Sequence, residues 1–180
     1  MTKAASIVVD GYNLIRQVGA LAEQEKHSLE QGRAALVKLL GRYRRLKPHK
    51  ITVVFDGQNE VSEFPSAYQQ TGVTICFSPS HLTADEVMRG YCQQLGSRAI
   101  VVSSDRGVTD FAKKCGSTTI GAVEFYHKLR QSELMSTSDV SDDPNTESRP
   151  AHKRWTTYKK GPRKKLPKKE RRGQQRLKKL

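Results

Sequence analysis

Residues 7–14 read Ile7-Val8-Val9-Asp10-Gly11-Tyr12-Asn13-Leu14. Three consecutive β-branched residues with no polar alternation predict a strand buried on both faces, and that strand ends on an acid followed by a glycine. The same kind of run returns at Ile51 to Phe55, Val73 to Phe77, Ala99 to Val102 and Thr118 to Ile120. Between these runs the period changes. Leu36, Leu39, Leu40, Tyr43 and Leu46 fall on one helical face, as do Val87, Met88, Tyr91, Cys92 and Leu95. Val108, Phe111, Ala112 and Cys115 make a third stripe, which Gly116 is placed to end. Strands alternating with helices imply βαβ units and right-handed crossovers. The expected fold is α/β, a three-layer sandwich around a mainly parallel sheet of about five strands.

Charge divides the chain. Of its 32 Lys and Arg, 15 lie in residues 149–180 beside one acid, Glu170, so that segment carries the whole formal charge of +14. Residues 1–148 are neutral by the same count. Three regions are therefore expected: a domain over 1–135, an acidic polar linker over 136–148, and a basic tail over 149–180. Ser, Thr, Asp, Asn and Pro make up most of the linker, a composition that cannot bury a core. In the tail, Pro162 and Pro167 interrupt any long helix, so it reads as disordered when alone, with 168–180 able to become helical on a partner. No apolar run approaches the roughly 20 residues that cross a bilayer, and no signal-peptide pattern opens the chain. A cytoplasmic protein without a membrane partner is expected. Cys76, Cys92 and Cys115 are odd in number and widely spaced, which argues against a disulfide framework or a zinc site.

Ligands of an open parallel sheet gather at the carboxyl ends of its strands, and here those ends are acidic. Asp10 closes the first strand, Asp56 the second, and Ser103-Ser104-Asp105 follows the fourth; Asp85-Glu86 opens the helix after the third. Carboxylates gathered this way repel one another unless a cation sits among them. Hard oxygen ligands suit Mg2+ or Mn2+, ions that activate water and stabilise in-line displacement at phosphorus. Each acid also has a structural reading. Asp10 and Asp56 can satisfy turn amides. Thr83-Ala84-Asp85-Glu86 is also a capping box, with Thr83 as N-cap and Glu86 at N3. No G-x-S-x-G, P-loop or G-x-G-x-x-G is present, so no small-molecule cofactor is expected.

Val8-Val9-Asp10-Gly11-Tyr12-Asn13-Leu14, Val53-Val54-Phe55-Asp56-Gly57, Thr83-Ala84-Asp85-Glu86 and Ser103-Ser104-Asp105 follow one another in an order that resembles NYN domains of the PIN-like nuclease superfamily. The YacP-like branch, which includes a ribosome-associated endoribonuclease, is the most similar, and the resemblance spans about residues 6–134. It implies a parallel sheet with helices on both sides and metal-dependent RNA cleavage. Residue by residue, Asp10, Asp85 and Asp105 match the acidic metal-binding positions, Glu86 matches a neighbouring acid, and Asn13 matches a polar pocket residue. The superfamily pattern has a further acid on the helix after strand one, for which Glu30 is the nearest counterpart.

Several cations are candidates for RNA contact. Arg16 and Arg106 follow two of the acid motifs, and Arg42, Arg44 and Arg45 cluster ahead of strand two. In the tail, Lys153, Arg154, Arg163, Lys164 and Lys165 supply charge for counterion release, while Trp155 and Tyr158 offer faces for unpaired bases. The expected activity is metal-dependent endonucleolytic cleavage of RNA, with mRNA on ribosomes as the target. The alternative is a non-catalytic RNA- or ribosome-binding adaptor whose acidic rim is vestigial.

Overall fold

Near-continuous apolar runs do become the centre of the molecule. The computed structural model describes residues 5–57, 67–138, 168–178 and Leu180. Strands β1 (Ser6–Asp10), β2 (Lys50–Phe55), β4 (Val73–Phe77), β5 (Ala99–Val102) and β6 (Thr118–Ile120) are the five anticipated ones. A sixth, β3 (Ala67–Gln70), joins through the two-residue turn Thr71–Gly72 and pairs antiparallel with β4. The sheet order is β3-β4-β2-β1-β5-β6, with every pairing but the first parallel. The count of about five thus becomes six. β3 was not legible because its sequence, Ala67-Tyr68-Gln69-Gln70, is mostly exposed at the sheet edge and shows no apolar alternation.

Alternating side chains send the strands into two cores. Ile7 and Val9, Ile51 and Val53, and Ile100 and Val102 point into one, with Leu14, Leu36, Leu40, Tyr43 and Phe125. Val8, Val54, Ala99 and Val101 point into the other, with Met88, Cys92, Val108 and Ala112. The first core lies under α1 (Gly11–Gln17), α2 (Gly19–His27), α3 (Leu29–Leu46) and α6 (Ala122–Ser138); the second lies under α4 (Ala84–Leu95) and α5 (Arg106–Lys114). This is the three-layer sandwich. Gly116 follows α5 at φ +85°, the left-handed geometry of a glycine stop. Burial drives the Cys92 thiol up to about 11, and all three cysteines are free. No helix among the described residues is long and apolar enough to cross a membrane.

Two boundaries differ from expectation. α6 runs to Ser138, three residues into the expected linker, because Ser and Thr are tolerated in a helix already nucleated by its buried first turns. The tail is not wholly without structure either: Lys168–Leu177 forms helix α7. Leu177 packs on the first core and Leu180 is buried in it. The Tyr43 hydroxyl donates to the Leu180 carbonyl at 3.0 Å, and the Lys128 ammonium donates to the Leu177 carbonyl at 2.8 Å. The terminal leucines supply apolar anchors that charge counting does not register.

Candidate active site

At the carboxyl ends of the strands lies a cleft of about 480 Å3, lined by Asp10, Asp56, Asp85 and Asp105 together with Tyr12, Asn13 and Arg16. Each acid arrives by a different local device. Asp10 ends β1 and is the N-cap of α1, its Oδ1 accepting from the Asn13 amide at 3.2 Å. Asp105 follows β5 and caps α5 in the same way, accepting from the Val108 amide at 3.0 Å. Asp85 occupies the first turn of α4, and its carboxylate makes no hydrogen bond or ion pair among the described residues. Asp56 follows β2 and accepts from the Ser78 hydroxyl at 3.2 Å.

The turn after β1 requires glycine. A Cβ on Gly11 would stand 2.3 Å from the Phe55 ring, far inside contact distance. Without it, α1 starts directly against β2, and Tyr12 meets Phe55 edge-on with centroids 5.2 Å apart. The Tyr12 hydroxyl accepts from Arg33 at 3.1 Å.

A hydroxyl the sequence reading passed over holds the centre together. Ser103, 1% exposed, donates to Asp10 Oδ2 at 3.0 Å and accepts from the Asp105 amide at 3.0 Å. One side chain thereby fixes two of the acids relative to each other. Asn13 performs a related task, its Oδ1 accepting from the Ser104 amide at 3.0 Å and from Gln17 at 3.2 Å. The second missed residue is Arg89, one turn beyond Asp85 on α4. Its guanidinium lies over the Phe111 ring, 5.7 Å from the centroid. The i, i+4 spacing from Asp85 was the available signal.

Electrostatics mark the cleft as a place of concentrated negative charge. Burial pushes the Asp10 carboxyl above its ordinary range; the Asn13 amide and the Ser103 hydroxyl pull it down, and the charges of Asp85 and Asp105 push it up again. Asp85 is likewise raised, first by burial and then by Asp105, with Arg89 opposing and Asp56 and Glu86 adding. Glu86 behaves oppositely. Its Oε2 accepts from the Thr83 amide at 2.8 Å and the Thr83 hydroxyl at 3.1 Å, which holds its carboxyl below the usual value. It is absent from the cleft lining. Glu86, grouped with the metal-binding acids by resemblance, forms the capping box that Thr83-Ala84-Asp85-Glu86 also announced, as its N3 member.

The remaining candidates divide clearly. Glu30 is exposed on the first turn of α3 and outside the cleft, because the neighbouring Leu29 takes the cleft-facing position. Arg16 lines the cleft, bonded to Glu25 at 3.3 Å with its own side chain 65% exposed. Arg106 is exposed at the start of α5 and outside the lining. Arg42 pairs with Glu133 at 3.0 Å. With Arg44 and Arg45 it lies on the last turns of α3, which lead into the start of β2 at the opposite end of the sheet. Lys153, Arg154, Trp155, Tyr158, Arg163, Lys164 and Lys165 lie outside the described residues.

Among the described residues, no three His, Cys, Asp or Glu side chains stand close enough to enclose one metal ion. The donor chemistry still fits a hard cation. Mg2+ commonly keeps several waters and takes only one or two carboxylates from the protein, the rest of its shell coming from substrate phosphates. Asp85, without a hydrogen-bonding partner among the described residues, and Asp10, raised chiefly by burial and further by its acidic neighbours, are the residues that could serve this way.

The sequence matches the YacP-like NYN domain over residues 7–169. No curated protein matches it. Among solved structures it is similar to Rae1 (YacP) from Bacillus subtilis, with 23% identity and a TM-score of 0.62 over 74% of this chain and 78% of that one. A tryptophan-to-leucine variant of the same Bacillus subtilis protein gives 22% identity and a TM-score of 0.60 over 76% and 86%. At that identity the likeness establishes the fold.

Proposed function

The chain belongs to the YacP-like NYN domain family, a family of RNase-type nucleases, and from that premise we propose that it is a metal-dependent endoribonuclease acting through the acidic cleft. The observation that carries this reading is the arrival of Asp10, Asp56, Asp85 and Asp105 from separate elements in one cleft. Asp10 and Asp85 would hold a Mg2+ or Mn2+ ion, and Asp105 would add to the negative field that retains it. Bound there, such a cation supplies Lewis-acid stabilisation at the phosphoryl group and an activated water. The protein's own part is positional. Ser103 locks Asp10 to the Asp105 backbone, Asn13 ties α1 to the loop carrying Asp105, and Arg16 at the rim meets an incoming phosphate. Arg89 opposes the rise that burial and the neighbouring acids impose on the Asp85 carboxyl. The basic segment around Lys153–Lys165 holds the RNA by backbone charge, and mRNA on cytoplasmic ribosomes is the substrate it serves.

A second reading is supported by the spacing of the acids, which form no ready three-ligand cage among the described residues. It is a non-catalytic RNA- or ribosome-binding adaptor. Incubating the full chain with translating ribosomes and with free RNA, in Mg2+, Mn2+ or EDTA, and mapping the RNA ends separates the two. Metal-dependent new ends support the nuclease. Binding without new ends in any metal supports the adaptor.

A further inference from the structure

At the opposite end of the sheet from the acids, where β5 and β6 begin, lies a larger groove of about 820 Å3 between α7 and the α5–β6 corner. Arg172 and Arg176 line it from α7 and Lys113 from α5, with the hydroxyl residues Ser117, Thr118 and Thr119 at its floor. Residues i and i+4 share a helix face, so the two arginines act together. Glu170 is the one acid among the described residues of the lining. Lys113 pairs with Asp110 at 3.4 Å, but both side chains are more than 60% exposed, and such a pair contributes little. Cations from two elements, α5 and α7, thus line one groove and outnumber Glu170, so its net field favours an anion.

We propose that this groove is a second RNA site, which grips the sugar–phosphate backbone at a distance from the acidic cleft. The proposal rests on the nuclease reading for its choice of polyanion. The guanidinium fork matches phosphate oxygens in a way an ammonium does not, and the Thr118 and Thr119 hydroxyls at the floor add neutral donors, while the Ser117 hydroxyl is already given to the Gly96 carbonyl at 2.9 Å. Among the described residues no aromatic side chain lines the groove, which favours recognition of backbone over bases. Its geometry is fixed by the anchors of α7: buried Leu180 with its carbonyl on Tyr43, and the Leu177 carbonyl on Lys128. At Gly173 the helix backbone lies beside Thr118, close enough that a Cβ there would make ordinary contact with its Oγ1 at 3.5 Å. The cations of α7 are thus held in a defined site instead of forming part of a loose polycation.

The test is binding of a 5′-labelled single-stranded oligoribonucleotide to the full chain by fluorescence anisotropy in EDTA, across a salt series. Removing the metal separates this outcome from the fate of the nuclease reading, since binding is read without cleavage. R172Q/R176Q should weaken binding at low salt at least tenfold and lower the slope of log K against log salt by about 1.4 to 1.8, two contacts' worth. K159Q/K160Q, which removes the same charge elsewhere in the tail, should do markedly less. K113Q should weaken binding less than additively when combined with R176Q, because both meet one bound backbone. The charge-retaining R172K/R176K should recover most of the slope, and a circular dichroism melt checks that each variant folds. Equal losses from the two double variants with K113Q silent would overturn the proposal in favour of generic tail charge. Competition by polyglutamate as effective as by RNA would overturn it in favour of an acidic protein partner.

Discussion

Asp10 and Glu86 are carboxylates of the same rim, yet their effects on stability have opposite signs. Asp10 is raised above 3.8 in the folded chain, chiefly by burial. A raised carboxyl contributes stability that is fully present below its unfolded value and is lost as pH rises through the folded one. Asp10→Asn should therefore stabilise the metal-free protein near neutral pH by about 0.5–2 kcal/mol, the usual gain from relieving a functional site. Asparagine remains a good N-cap for α1. The gain should vanish in acid. Glu86 is depressed below 4.5 by its bonds from Thr83, so its contribution is present above the unfolded value and is lost as pH falls through the folded one. Glu86→Gln should destabilise slightly near neutral pH, and that deficit too should vanish in acid. Thermal melts of both variants in EDTA, from neutral pH into acid, check the pair of signs. Gly11 offers a separate test: Gly11→Ala drives a methyl into Phe55 and should cost about 1–3 kcal/mol, read from the denaturation midpoint.

Helices and strands that bury an apolar face were legible in the sequence, and those that do not were silent. β1, β2, β4, β5 and β6 are runs of β-branched residues covered on both sides. α3, α4 and α5 carry clear stripes. β3 is an exposed edge, and α2 buries only Leu21, so neither leaves a pattern to read. α7 was hidden for a different reason: its cations dominate the composition, while its docking depends on Leu177 and Leu180 at one end. The acids of the cleft were legible because strand ends announce them, whereas Ser103 and Arg89 act through contacts made only in the folded chain. If α7 is docked as described, Leu180→Ala empties a core position and weakens the seat of the Tyr43 hydroxyl. It should cost about 2–3 kcal/mol, near the lower end for buried leucine truncations, and speed proteolysis within 168–180. An unchanged melt with unchanged proteolysis would mean that α7 does not rest on the core.

Across the whole molecule, charge is sorted along the strand direction. Carboxylates gather where the parallel strands end, while Lys50, Arg98, Lys113 and the arginines of α7 lie near where strands begin. A polyanion is attracted to the basic end and repelled from the acidic end until a cation enters the cleft. Binding and cutting are thus expected to respond to metal in different ways: RNA affinity should change little with EDTA, and turnover should depend on Mg2+ or Mn2+. The most direct measurement is the cleavage rate of an end-labelled RNA by wild-type chain and Asp85→Asn, titrated with Mg2+ from EDTA to saturation. Expected are no cleavage in EDTA, recovery with Mg2+, and a loss of at least about 100-fold in Asp85→Asn at saturating metal, with its melting temperature unchanged or raised. Wild-type cleavage by Asp85→Asn, or cleavage that persists in EDTA, would contradict the metal-dependent reading of the cleft.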